Sequence, residues 1–146
     1  MDLSQALQMA SRTDAGMVRS HNEDAVFSNA ALGLAILADG MGGYNAGEVA
    51  SGMATTLLGS ELEKAFQKTA PHQLDASGKL YSHSVLEAEI ARANTAIYQA
   101  AQSQPQYAGM GTTLVVTLFY DNMMTVAHIG DSRLYRLRGD EFQAIT

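Results

Sequence analysis

The chain has 146 residues, 47% apolar and 16% charged, with 9 Lys+Arg against 15 Asp+Glu. That balance describes a soluble globular domain, rather than a disordered chain, able to bury about 68–70% of its unfolded surface. The net charge of −6 argues against a nucleic-acid backbone as partner, and the lack of cysteine excludes disulfides and thiolate metal sites.

The amino terminus, "MDLSQALQMASR", lacks the basic and apolar runs of a secretory leader, and no stretch reaches the ~18 apolar residues of a membrane span. The sequence therefore predicts a cytoplasmic protein with neither a membrane nor a nucleic acid as partner. Alternation and turn residues predict short strands over 13 to 18, 25 to 28 and 32 to 38. "NAGE" then opens a helix, with Asn45 as cap and Glu48 reaching back to it, and Val49, Met53, Leu57, Leu62 and Phe66 follow at helical spacing. An irregular stretch, 68 to 79, leads to a second helix. Ser84 and Glu87 in "SVLE" repeat the capping signature, Leu86, Ile90, Ala93, Ile97 and Ala101 share one face, and Pro105 ends it.

Strands return at 112 to 120, 124 to 129, 132 to 137 and 141 to 145, and the turn pairs Asp121-Asn122 and Gly139-Asp140 make them an antiparallel meander. Strands, then helices, then strands is an α+β order. The sequence stops at Thr146 directly after a strand, which predicts that the domain continues beyond it.

Three strand ends carry acids. In "ILADGMGG" an apolar strand ends on Asp39 and runs into glycines. A carboxylate leaving a packed strand needs a cation or hydrogen bonds. Hard divalent cations take carboxylate and carbonyl oxygens, and bare backbone after the acid lets the Gly40 carbonyl reach the same ion. From these residues alone an ordinary strand-to-helix turn with a solvated acid is the favoured reading. A Walker phosphate loop does not fit, because no Gly-Lys-Ser/Thr follows. "RSHNED" adds Arg19, Glu23 and Asp24 in one short loop, and "HIGDSR" ends a further strand on Gly130 and Asp131. His128 reads as a packed polar residue, His21 as a solvated one, and the eight methionines as gap filling in the core. Arg133, Arg136 and Arg138 read as a solvated sheet face.

With "TDAGMVRSHNEDA", "LADGMGGYNAGEVAS", "GMGTTLVV" and "HIGDSRLYRLRGDEFQAIT" in this order, the sequence resembles the metal-dependent PPM family of protein serine/threonine phosphatases, the protein phosphatase 2C type, in its short bacterial form. The resemblance runs from Arg12 to Thr146. It implies an α+β fold, an antiparallel β-sandwich flanked by helix pairs in α-β-β-α layers, with a binuclear Mn or Mg centre at one end. It implies that Asp39 bridges the two metals, that Gly40 lends its carbonyl, and that Asp24 and Glu23 hold metal-bound waters. Arg19 is similar to the phosphate clamp, whose planar fork suits a phosphoryl group. Asp131 is similar to the acid that supports a third, weaker metal. Met41 stands where eukaryotic members place a proton-donating histidine.

The implied reaction is hydrolysis of phosphoserine and phosphothreonine in proteins by a metal-activated water, opposing a bacterial serine/threonine kinase. Family members continue past this length, and their second half brings two more aspartates to the metals. Residues 1–146 therefore read as the amino-terminal part of a single phosphatase domain, expected alone to bind metal weakly and to be nearly inactive. Sheet edges and inner faces left open predict dimerisation or a second fragment. Two other readings stand beside this one: a non-catalytic module that recognises phosphoproteins or a regulatory partner, and a nucleotide-binding protein using the Gly-rich turn.

Overall fold

Alternate residues of the stretch 34 to 41 are buried: Leu34, Ile36, Ala38 and Gly40 face inward, while Leu37, Asp39 and Met41 are exposed. Such period-two alternation marks a strand with one packed face. In the computed structural model, which describes residues 2–43 and 46–146, this strand is β2, Leu34–Met41. It lies inside an antiparallel sheet. β1 (Asp24–Asn29) pairs with one edge of it, and β3 (Gly111–Thr112) and β4 (Leu114–Tyr120) pair with the other, with β5 (Met123–Ile129) beyond β4.

Two helices, α1 (Ala46–Lys68) and α2 (Tyr81–Ser103), cover the face that carries Leu34 and Ile36. Leu58, Leu62 and Phe66 from α1 meet Val85, Leu86 and Ala93 from α2 over Leu114, Val116 and Leu118 of β4. A smaller cluster gathers around Ala38, one residue before Asp39, with Ala46, Ala50, Ala54, Ile97 and Met110. The core also holds polar groups: the Tyr120 hydroxyl lies 2.8 Å from Thr125 Oγ1 and 3.1 Å from Ser82 Oγ, so each buried hydroxyl has a partner.

The α+β order, the antiparallel sheets and the helix pair are as the sequence predicts, but several local expectations are corrected. The packed stripe of α1 is Ala46, Ala50, Ala54, Leu58, Leu62 and Phe66, whereas Leu57 is exposed and Val49 and Met53 are half-buried. Small side chains let the first half of α1 lie close to the sheet, and Gly59 does the same against the Phe27 ring. Helix α2 starts at Tyr81, ahead of Ser84, and has no side-chain cap. Ser84 Oγ instead donates to Asp75 at 2.5 Å, and Glu87 pairs with Lys79 at 2.6 Å. The cap predicted at Asn45 lies outside the described residues.

Residues 13 to 18 form no strand. A strand needs a neighbour for its N–H and C=O groups, and here Met17 and Val18 are fully exposed. The strand predicted over 112 to 120 is interrupted at Thr113. The meander also ends early, because β6 (Tyr135–Arg138) and β7 (Glu141–Ala144) pair only with each other. Gly130, at φ +89°, turns the chain away from β5 before they begin. Helices cover one face of the larger sheet. The other face carries a cleft of about 680 Å3 lined by Val26, Leu37, Val115 and Tyr135 among others. His128, opposite Val115, is exposed on β5 rather than packed.

Candidate metal and phosphate site

The register of β1 on β2 sets Asp24 opposite Asp39, so the two carboxylates rise from neighbouring strands on the same face of the sheet. That face is the one without helices. Partial burial pushes the Asp24 carboxyl up from its ordinary value of 3.8, a hydrogen bond shared with Asp39 and the Asp39 charge push it further, and the positive charge of Arg19 pulls it back. Asp24, Asp39 and Arg19 are thus brought into one electrostatic neighbourhood.

The Glu23 charge adds a smaller upward push on the same Asp24 carboxyl. Glu23 directly precedes β1, and its carboxylate oxygen lies only 2.7 Å from where a Cβ on Gly47, in the first turn of α1, would stand. Its backbone does the positioning: the Glu23 carbonyl accepts the Gly40 N–H at 3.0 Å and the Ser51 hydroxyl at 2.6 Å. Gly40 has no room for a side chain. A Cβ there would overlap the Gly47 carbonyl oxygen and lie 2.7 Å from the Glu23 carbonyl oxygen. The glycine after the acid is required by this contact between the strand end and α1.

On the other edge, the β2 register is the same on both sides of the break, with Gly40 opposite Thr112 and Leu37 opposite Val115, which places Thr113 opposite Asp39. The Asp39 N–H donates to Thr113 Oγ1 at 3.0 Å, the Thr113 N–H donates to the Asp39 carbonyl at 2.9 Å, and Thr113 Oγ1 lies 2.7 Å from Ser132 Oγ. Asp131 is exposed beside Ser132, the residue whose hydroxyl meets Thr113. His21 is exposed, with Nδ1 2.9 Å from Ser20 Oγ. The Asn22 side chain accepts the Asp24 N–H at 2.9 Å and fixes how the loop turns into β1.

Sequence reasoning assigns no role to Asn22, Gly47, Ser51, Thr113 or Ser132. All five stand within the four quoted motifs, so the signal was their place beside the acids. Among the described residues no group of three or more His, Asp or Glu side chains is placed to hold a metal. Two facing carboxylates, with the Asp24 carboxyl pushed up, are nonetheless the kind of oxygen donor set that a hard divalent cation relieves.

The family model described as Protein phosphatase 2C matches residues 15–146. The chain is 41% identical over 140 residues to the serine/threonine protein phosphatase PstP of Mycobacterium tuberculosis, covering 96% of this chain and 24% of that protein. It is 39% identical over 143 residues to the protein phosphatase PhpP of Streptococcus pneumoniae, covering 96% of this chain and 54% of that one. A crystal structure of the Mycobacterium tuberculosis PstP superposes with a TM-score of 0.77 at 39% identity over 94% of this chain and 52% of that chain. One of the PstP catalytic domain in complex with two manganese ions gives 0.74 at 40% identity, over 94% and 54%. The chain belongs to the protein phosphatase 2C family. It spans about half the length of PhpP and about a quarter of PstP.

Proposed function

We propose that this chain is the amino-terminal part of a single metal-dependent phosphatase domain that removes phosphate from phosphoserine and phosphothreonine in proteins. The observation that carries the reading is the opposition of Asp24 and Asp39 at the sheet's end, with Gly40 pressed against α1 and the Arg19 charge nearby. Asp39, Asp24 and the Gly40 carbonyl would hold Mn or Mg, the two manganese ions in the PstP catalytic domain supporting a binuclear centre. Such ions, when bound, supply an activated water and offset charge on the phosphoryl oxygens.

The chain's own residues do the rest. Arg19, on an exposed loop, offers a planar fork to the phosphoryl group of the substrate. Its charge also restrains the proton that Asp24 would otherwise hold, keeping that carboxylate available as a ligand. Asp131, one residue from the Ser132 contact, is the candidate for a third, weaker metal position. The substrate is a phosphoprotein, opposing a serine/threonine kinase, in a cytoplasmic setting; no helix among the described residues is long and apolar enough to cross a membrane.

With no group of three or more acidic or histidine side chains placed to hold a metal among the described residues, the chain alone is expected to hold metal weakly. That observation also favours a second reading, a module of the same fold that binds phosphoproteins without turning them over. Manganese-dependent hydrolysis of an aryl phosphate, measured for residues 1–146 and for the full-length protein, separates the two. Turnover in the full-length protein, abolished by Asp39→Asn, supports the phosphatase. Phosphopeptide binding without turnover in both supports the module.

A further inference from the structure

Thr113 sits in the only interruption of the strand that faces β2 among the described residues, and its hydroxyl accounts for the interruption. In a regular antiparallel ladder the Asp39 N–H would bond to the backbone carbonyl opposite it. Here it bonds to Thr113 Oγ1 at 3.0 Å, while the Thr113 carbonyl is taken by Thr112 Oγ1 at 2.9 Å. The pairing is held from the other direction by the Thr113 N–H on the Asp39 carbonyl at 2.9 Å. The swap leaves the Thr113 hydroxyl free to meet a second element, and it meets Ser132 Oγ at 2.7 Å. On that side Gly130 is at φ +89°, and a Cβ on it would stand 3.0 Å from Thr113 Cγ2. The turn 130 to 132 therefore closes directly onto Thr113.

We propose that Thr113 is a positioning residue whose hydroxyl, bonded at once to the Asp39 backbone and to Ser132, holds Asp39 and Asp131 at a fixed separation. The inference rests on reading Asp39 and Asp131 as metal ligands, and it adds what spaces them. A ligand displaced by a fraction of an ångström weakens a metal site without unfolding the protein, and groups that orient ligands typically account for about 10–100-fold in affinity. Valine keeps the branched shape of Thr113 but leaves the Asp39 N–H without its acceptor and releases Ser132.

The test is manganese binding by the full-length protein, read by calorimetry with Mn2+ alone as probe, together with the Mn2+ concentration for half-maximal phosphatase activity. Thr113→Val and Ser132→Ala should each raise the half-saturating Mn2+ by about tenfold. Because both break one relay, the double variant should be no worse than Thr113→Val, and Thr113→Ser, which keeps the hydroxyl, should recover most of the affinity. Thermal melts establish that the variants are folded, and Ser132→Ala carries the test alone if Thr113→Val does not fold. Wild-type Mn2+ affinity in Ser132→Ala, or strictly additive losses in the double variant, would overturn the positioning role while leaving the metal site standing. Mn2+ binding indifferent to Asp39→Asn would overturn the metal-site reading and this role with it.

Discussion

Asp24 and Asp39 stand directly opposite each other on antiparallel strands, two like charges in the arrangement that cross-strand pairing disfavours. Partial burial and then the facing Asp39 carboxylate make Asp24 keep a proton to higher pH than its ordinary 3.8. A group whose carboxyl is raised in the folded state stabilises at low pH and loses that contribution as pH rises through the raised value. Asp24→Asn removes the repulsion with little change of shape. In metal-free buffer the variant should melt above wild type at neutral pH, with the gap opening as pH climbs from 3.8. Added Mn2+ should raise the wild-type Tm and leave the variant's nearly unmoved. A variant that melts below wild type in neutral, metal-free buffer would remove the argument for a cation between these acids.

The contact of Gly40 with Gly47 makes a second expectation. A methyl group at Gly40 would overlap the Gly47 carbonyl, and one at Gly47 would come within 2.8 Å of the Gly40 backbone. Overpacking of this kind typically costs about 1–3 kcal/mol and more where backbone must move. Urea denaturation should rank Gly40→Ala and Gly47→Ala well below wild type. Gly43→Ala, where nothing among the described residues lies within 4 Å of the added carbon, should be close to neutral.

Asp75 supplies a third. Its carboxylate accepts the Ser77 hydroxyl and N–H, the Lys79 N–H and the Ser84 hydroxyl, clamping the loop before α2 onto the helix. The side-chain bonds to Ser77 and Ser84 hold its carboxyl far below the ordinary 3.8. Depressed acids stabilise above their unfolded value and lose that contribution as pH falls. Wild type should therefore lose melting temperature progressively below about pH 4, and Asp75→Ala should melt lower at neutral pH with a flatter acid limb. Parallel curves for the two proteins through that range would contradict the clamp.

The elements that were legible in the sequence are those where one residue type dominates its surroundings. Leu34, Ile36 and Ala38 alternate cleanly into β2, and Pro105 stands just past the end of α2 at Ser103. The acids were legible because a carboxylate at a strand end has few comfortable alternatives. The α1 stripe was not, because alanine at 46, 50 and 54 carries a weaker apolar signal than Val49 and Leu57, although small residues suit a close helix-to-sheet approach better. Ser84 looked like a cap because its spacing to Glu87 is right, but Asp75, nine residues earlier, competes for its hydroxyl. Thr113 escaped because its work is done by a hydroxyl replacing a backbone carbonyl, and no periodicity registers that exchange.

Strand β2 divides two jobs between alternate residues. Leu34, Ile36 and Ala38 anchor the helices, while Leu37 and Asp39 look the other way. Since the Asp39 side chain takes no part in the packed side, it can be exchanged without touching the core clusters. The two faces of this strand are thus free to change at separate rates, one held by packing and the other by whatever meets the exposed acid.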